Sequence, residues 1–240
     1  MKTNSIYILS VFSLLLSCYK EEPVSKESII IGFTAPESVP ADGKSAAAIE
    51  VKIPPKSAAD RRTVTFKTTR GIFEQIDKNE TTVKAEFNEA GELVAKTSLR
   101  STVSVENALV TAAIGGITDS TTIRFAAAAP DDILLHTDKQ AIYPGYESEA
   151  TVSIILIRNI GKVSEKAPVT FTVADEKGTI LSHENKIYIR NSNLLTDENG
   201  KCSFTLSVGN SAYLGKLRIV AKAGSITSKE LFIYSIPKPK

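Results

Sequence analysis

The chain has 240 residues, 42% of them hydrophobic and 23% charged, a composition of globular domains that excludes a wholly disordered chain and a multispan membrane protein. The net charge of +2 is spread without basic clusters, which excludes the electrostatic pattern that nucleic-acid binding requires. With no Trp, one Met, two His and two Cys, the chain holds few of the side chains that build catalytic and metal sites. We therefore expect neither an enzyme nor a protein with a cofactor.

The first seventeen residues have the pattern of a secretory signal peptide. Lys2 precedes an apolar run of about eleven residues, 6–16, whereas a membrane-spanning helix needs about 20. The run ends in Leu15-Leu16-Ser17-Cys18, which resembles the lipobox of bacterial lipoproteins. The resemblance implies cleavage before Cys18, a diacylglyceryl group on its thiol and, in many such proteins, a further acyl chain such as palmitate on its amine. The alternative is an ordinary signal peptide with Cys18 near the cut by chance.

The residues after Cys18 bear on where the protein is anchored. Two or more acyl chains give stable attachment to a membrane. Tyr19 follows Cys18, whereas Asp in that position favours inner-membrane retention in lipoproteins of enteric type, so the resemblance favours the cell outer membrane. The acidic segment that follows, Lys20-Glu21-Glu22, is too short to indicate whether the protein faces the periplasm or the cell surface. We predict a lipidated N-terminus and polar spacer at 18–28.

Short alternating runs, separated by Gly, Pro, Asn and Asp, dominate the chain after the spacer. The clearest are Thr63–Thr68, Thr82–Phe87 and Leu93–Leu99. Alternation with a period of two gives each run one face to bury in a core, which is typical of β-strands. Helical periodicity is absent after the signal, so the sequence predicts an all-β fold.

The second half of the chain repeats the first. Val64–Phe66 aligns with Val169–Phe171, at an offset of about 105 residues. That period is the size of one β-sandwich domain and much longer than a solenoid repeat. The sequence therefore predicts tandem domains at 29–128 and 131–235, joined by an Ala-Pro linker and followed by a tail at 236–240.

Two segments of the first predicted domain carry a family resemblance. Val39–Val51, with its Ala-Asp-Gly turn, and Val64–Phe73, which reaches a Gly corner, resemble the group 1 bacterial immunoglobulin-like domains of invasin and intimin. The second domain is similar, although its start at 137–145 also resembles the macroglobulin-type sandwich of large bacterial surface proteins. The resemblance implies two tandem immunoglobulin-like β-sandwich domains.

The same resemblance gives an expectation for function. Together with the lipobox at Cys18, it implies a lipid-anchored envelope protein whose domains form a stalk or an adhesion and protein-interaction module, with the membrane and another envelope or host protein as partners. Such a fold specifies architecture better than function. An enzyme acting through carboxylates that folding brings together is the alternative ranked last.

Histidine and acidic positions give no metal or catalytic pattern. His136 and His183 have no companion ligand at metal-binding spacing. We expect His136 in a strand and His183 in a solvated loop. Thr196–Lys201 is rich in oxygen ligands but lacks the spacing of a calcium loop, so it is predicted to be a turn, as is Gly115-Gly116.

The second cysteine lies in an alternating run. Cys202 shares a face with Phe204, Leu206 and Val208, so we predict that it is a small core residue. An intermolecular disulfide or a reactive thiol is the alternative.

Glycan binding is the alternative function. Sugar rings stack on aromatic side chains, and here the candidates are the dispersed Tyr143, Tyr146, Tyr188 and Tyr213. Tyr143-Pro144-Gly145-Tyr146 is the best cluster, and it is also explained as a sandwich corner with a Pro-Gly turn. This alternative is a glycan-binding accessory lipoprotein of the outer membrane.

Overall fold

The computed structural model describes residues 29–145, 148–209 and 213–239, apart from the side chain of Asn193. Within these ranges the chain forms β-strands and two short 3-10 turns, at Ala59–Arg61 and His183–Asn185. None of the described helical segments has the length and apolarity to cross a membrane. The predicted signal peptide, Cys18 and Tyr146 lie outside the described residues.

The first half of the chain forms one β-sandwich. Its strands are β1 (Gly32–Thr34), β2 (Ser38–Pro40), β3 (Ala46–Ile53), β4 (Thr63–Thr68), β5 (Ile72–Phe73), β6 (Glu80–Lys84), β7 (Glu86–Phe87), β8 (Leu93–Arg100), β9 (Glu106–Ile114) and β10 (Ile117–Ala126). One sheet has the order β1-β3-β8, with β5 and β7 both pairing with the far edge of β8. The other sheet has the order β2-β10-β9-β4-β6, antiparallel except for the parallel pair β2 and β10.

The second half forms a sandwich with a matching strand order. Its strands are β11 (Asp132–Thr137), β12 (Ala141–Ile142), β13 (Glu149–Ile157), β14 (Thr170–Ala174), β15 (Ile187–Asn193), β16 (Lys201–Val208), β17 (Gly215–Ala223), β18 (Ile226–Thr227) and β19 (Leu231–Ser235). The sheets have the orders β11-β13-β16-β15 and β12-β19-β17-β14, and β12 pairs with β19 in parallel, as β2 does with β10. The predicted all-β fold of two tandem sandwiches is confirmed.

Each sandwich has its own hydrophobic core. In the first, Phe66 and Phe73 meet with ring centroids 6.2 Å apart, and both side chains are fully buried. In the second, Phe171 stacks on Phe204 at 3.8 Å. Each fully buried side chain of this size contributes about 1.5–3 kcal/mol relative to an exposed one. The two cores are separate clusters, one in each sandwich.

One predicted strand is wrong in its extent. The alternating run Thr82–Phe87 is divided at Ala85, so that β6 lies in one sheet and β7 in the other. The buried Ala85 donates its N–H to the carbonyl of Arg62 at 2.7 Å, and the chain then crosses between the sheets. Periodicity reports which face is apolar but not which sheet a strand joins.

The predicted turns are confirmed. Gly115 and Gly116 have φ of +55° and +86° and connect β9 to β10. Asp197 accepts hydrogen bonds from the backbone N–H groups of Asn199 (2.8 Å) and Lys201 (2.9 Å), which closes the turn before β16. This local bonding is that of an Asx-type turn, as predicted.

Candidate functional site: the junction between the sandwiches

The histidines predicted to lack ligand partners lie in different parts of the second sandwich. His136 is in β11, as predicted. His183 is exposed and begins a 3-10 turn, and its imidazole ring meets the ring of Tyr188 edge-on, with centroids 4.8 Å apart. No group of three or more His, Cys, Asp or Glu side chains within the described ranges could hold a metal ion.

Cys202 belongs to the second core, as predicted. Its side chain packs within the cluster, and only 8% of the residue is exposed. Burial, with a smaller contribution from the negative charge of Asp197, raises the pKa of the thiol from 9.0 to about 11. The thiolate is the reactive form of cysteine, so this thiol is inert at neutral pH.

The described tyrosines Tyr143 and Tyr213 make contacts of different kinds. Tyr213 packs against the second core and donates its hydroxyl to the carbonyl of Lys216 at 3.1 Å. Burial raises its pKa, with Asp175 adding to the effect. Tyr143 is half-buried, and its N–H donates to Ser148 Oγ at 3.1 Å. These contacts are those of packing and turn closure rather than of an aromatic platform.

The site where the structure concentrates buried polar contacts is the junction between the sandwiches. It begins with Asp42, which follows β2 and is 1% exposed. The carboxylate accepts hydrogen bonds from the N–H groups of Lys44 (2.9 Å) and Ser45 (2.6 Å) and from Ser45 Oγ (2.7 Å). Gly43, at φ +72°, allows the chain to turn around it. The Asp42 loop is thus closed by its own residues.

The loop after β13 in the second sandwich docks on Asp42. Lys162 N–H donates to the backbone carbonyl of Asp42 at 2.8 Å. Gly161 lies so close that a β-carbon there would be 2.7 Å from Asp42 Cγ. Its φ of +71° also favours glycine. The contact therefore requires glycine at position 161, next to the buried Asp42.

Arg158 supplies the counter-charge for Asp42 and also holds the linker. Its Nε lies 3.7 Å from Asp42 Oδ2, and its Nη1 donates to the carbonyl of Ala129 at 2.9 Å. Burial alone would raise the pKa of Asp42, but hydrogen bonds from Ser45 and Lys44, together with the guanidinium of Arg158, hold it below its ordinary value. The carboxylate therefore stays ionised inside the junction.

Ser164 bonds to both the first sandwich and the linker. Its Oγ donates to the carbonyl of Ala41 and accepts from the N–H of Ala128, both at 2.8 Å. Ser164 is 1% exposed and Ala128 is 3% exposed. Buried polar groups are costly when they are unpaired. The Ser164 hydroxyl pairs two such backbone groups at once, the carbonyl of Ala41 and the N–H of Ala128.

Glu165 extends the contact to the loop between β8 and β9. Its N–H donates to the carbonyl of Val103 at 3.0 Å, and its carboxylate accepts from Ser104 Oγ at 2.6 Å. An apolar hollow of about 280 Å³ adjoins these bonds. It is lined by Val105, the linker residues Ala127–Pro130, Ala167 and Pro168, among others. The junction thus combines charge, hydrogen bonds and apolar walls.

Sequence reasoning identified the Asp42 turn but not its role between domains. The local signal is the Ala-Asp-Gly turn at 41–43, which the family resemblance includes. The partners in the loop 158–165 are more than a hundred residues away, and their small and polar types carry no periodic signal. Folding alone brings them together.

Comparisons with known proteins give a fold and no closer assignment. No protein-family model and no curated protein matches the chain. Among solved structures, invasin, a bacterial integrin-binding protein, is 20% identical with a TM-score of 0.58, over 87% of this chain and 40% of that one. The Yersinia pseudotuberculosis adhesin InvE is 15% identical with a TM-score of 0.54, over 88% of this chain and 61% of its own.

A tandem unit of titin, A168169, is 12% identical with a TM-score of 0.50, over 87% of this chain and 98% of that one. This chain therefore spans less than two thirds of the two bacterial structures and nearly all of the titin unit. At these identities the likeness defines the class: two tandem immunoglobulin-like sandwiches, of the kind that invasin contains. The predicted immunoglobulin-like fold is confirmed.

Proposed function

We propose that the protein is a lipid-anchored component of the bacterial cell envelope whose two immunoglobulin-like domains, 29–128 and 131–235, form a stiff stalk. The stalk presents an adhesion or protein-interaction surface to another envelope or host protein. The observation that carries this proposal is the hydrogen-bonded junction, because a spacer requires a fixed relation between its units. The likeness to invasin and to the adhesin InvE supports the same role.

The junction has enough contacts to oppose free rotation about the linker. Four hydrogen bonds join the first sandwich to the loop 162–165, and their first-sandwich partners are Ala41, Asp42, Val103 and Ser104. Each such bond contributes about 0.5–1.5 kcal/mol net. The linker itself, between the end of β10 and the start of β11, is bonded to Ser164 and Arg158.

The anchor in this proposal is Cys18. Lipidation there would fix the N-terminal end to the outer membrane, with the spacer 18–28 between the acyl chains and the first sandwich. Two acyl chains suffice for stable attachment. The partner surface would then face either the periplasm or the outside of the cell.

Membrane fractionation with protease shaving of intact cells tests the anchor and its face. We expect the wild type in the outer-membrane fraction and the Cys18→Ser variant in the soluble fraction. Cys202→Ala, which removes the buried thiol, is the matched control and should stay in the membrane. Digestion of the wild type on intact cells would indicate the surface, and protection would indicate the periplasm. Equal fractionation of wild type and Cys18→Ser would refute the lipid anchor.

A further inference from the structure

The first sandwich has an outer strand with no counterpart in the sheet order of the second. The sheet β12-β19-β17-β14 matches β2-β10-β9-β4, and the first sandwich adds β6 beyond β4. The strand β6 pairs with β4 over five residues, from Thr63 opposite Lys84 to Lys67 opposite Glu80. Its other side is the edge of the sheet.

The backbone groups at this edge can be assigned from the hydrogen bonds on the inner side. Ala85, just after β6, donates its N–H toward β4, to the carbonyl of Arg62. Successive residues of a strand direct their backbone groups to opposite sides. The N–H and C=O groups of Glu80, Thr82 and Lys84 therefore point away from β4, at the spacing that another strand requires.

The edge strands β2 and β15 carry features that discourage pairing, and β6 lacks these features. The strand β2 has three residues and ends in Pro40, and β15 has a register shift between Arg190 and Asn193. Proline, short length and bulges are the means by which sheets protect their edges. The strand β6 is regular and contains no proline.

An apolar rim lies next to this edge. Below β6, a cleft of about 630 Å³ opens toward β8, and Val94 and Lys96 line its other side. Ile76 and Phe87, on its rim, are 43% and 55% exposed. These two side chains add exposed apolar surface beside the edge.

The charges of β6 are complementary to those of a second, antiparallel copy of the same strand. It reads Glu80-Thr81-Thr82-Val83-Lys84. When two copies pair antiparallel about Thr82, Glu80 of each copy lies opposite Lys84 of the other. Opposite charges in directly opposed positions stabilise a strand pair, and like charges destabilise it. Glu80 is already bonded to Lys67 at 3.1 Å, but its side chain is half exposed and its carboxylate can accept a second cation.

From this edge, rim and charge pattern we infer that β6 is a self-association surface, at which a second copy of the chain adds its own β6 in antiparallel register about Thr82. A two-fold axis then relates the copies, and the same residues contribute from each side. The two five-stranded sheets become one sheet, and the rims with Ile76 and Phe87 are covered. This inference does not depend on lipidation of Cys18.

Cysteine cross-linking tests the register directly. In the full chain carrying Cys18→Ser, Thr82→Cys places two thiols opposite each other, within reach of a disulfide. Glu80→Cys is the matched control on the same edge. In the proposed register the two cysteines at position 80 lie about four strand positions apart, or about 13 Å, which is too far for a disulfide. We expect a covalent dimer with Thr82→Cys and little with Glu80→Cys. Equal cross-linking of both variants, or none with Thr82→Cys, would overturn the proposal.

Charge reversal with rescue tests complementarity. Lys84→Glu and Glu80→Lys each turn two attractive pairs into repulsive ones, and each should weaken dimerisation by about tenfold in sedimentation equilibrium. The double variant restores both pairs and should recover most of the affinity. Lys222→Glu, on an exposed position of β17, controls for net charge. Failure of the double variant to recover would contradict the register. A monomer throughout the concentration range would overturn self-association and leave this edge to a strand from a different protein.

Discussion

Gly161 of the second sandwich lies directly against Asp42 of the first, with no room for a β-carbon between them: a methyl group at Gly161 would be 2.7 Å from both Cγ and the backbone carbonyl oxygen of Asp42. The two residues are more than a hundred positions apart in the sequence. Their contact sets the distance at which the two sandwiches meet.

Gly161→Ala should therefore loosen the junction without unfolding either core. Gly91→Ala is the matched control, because Gly91 has a similar φ of +75° but nothing within 4 Å of its β-carbon position. Both substitutions cost about 1–2 kcal/mol for the left-handed backbone. We expect only Gly161→Ala to broaden the distance distribution between spin labels placed in the two sandwiches. An unchanged distribution would show that this contact does not determine the domain arrangement.

Ser164→Ala should destabilise the protein by about 1–3 kcal/mol, because it leaves the carbonyl of Ala41 and the N–H of Ala128 buried without their partner. Ser207→Ala provides the comparison. Ser207 is equally buried, but its hydroxyl has no hydrogen-bond partner among the described residues, so its loss should cost little. Urea unfolding of the two variants measures the difference. Equal free energies of unfolding would argue against the role of Ser164.

The stability of the junction should fall in acid. The pKa of Asp42 is lower in the folded protein than its ordinary value of 3.8. A group of this kind contributes stability that is present above the unfolded pKa and is lost as the pH falls through the folded pKa. We expect the free energy of unfolding to decrease below about pH 4 in the wild type. Asp42→Asn should be less stable at neutral pH and should lose part of this decrease.

Urea titrations at several acidic pH values check the Asp42 prediction. Glu198→Gln, which removes an exposed carboxylate from the turn before β16, controls for the change in net charge. If Asp42→Asn and the wild type lose stability in parallel down to low pH, Asp42 does not contribute to the acid dependence.

Cys202 should resist alkylation in the folded protein. Its thiol is buried and has a pKa raised to about 11, so the thiolate is scarce at neutral pH. In a Cys18→Ser background, labelling with iodoacetamide at neutral pH should be slow and should become rapid in urea. Mass spectrometry after timed quenching measures both rates. Fast labelling without denaturant would place the thiol in an open site instead.

The sequence determines the strands more completely than their assembly. Thr63–Thr68 and the run beginning at Leu93 were predictable because each has one apolar face, and that face is a local property. The crossing at Ala85 was not, since a change of sheet leaves the alternation on either side intact. The junction was even less accessible, because Gly161 and Ser164 act only through neighbours supplied by the other sandwich.

The way in which the Asp42 loop is closed makes its shape independent of the second sandwich. The hydrogen bonds to its carboxylate come from Lys44 and Ser45, within the same loop, so the loop is shaped when the first sandwich has folded. The loop 158–165 of the second sandwich has its polar groups satisfied by Asp42, Ala41 and Val103. Domains fold as units, with the N-terminal one first during synthesis. The first sandwich thus presents a loop whose shape is already set, and docking of the second sandwich supplies the remaining hydrogen-bond partners of both.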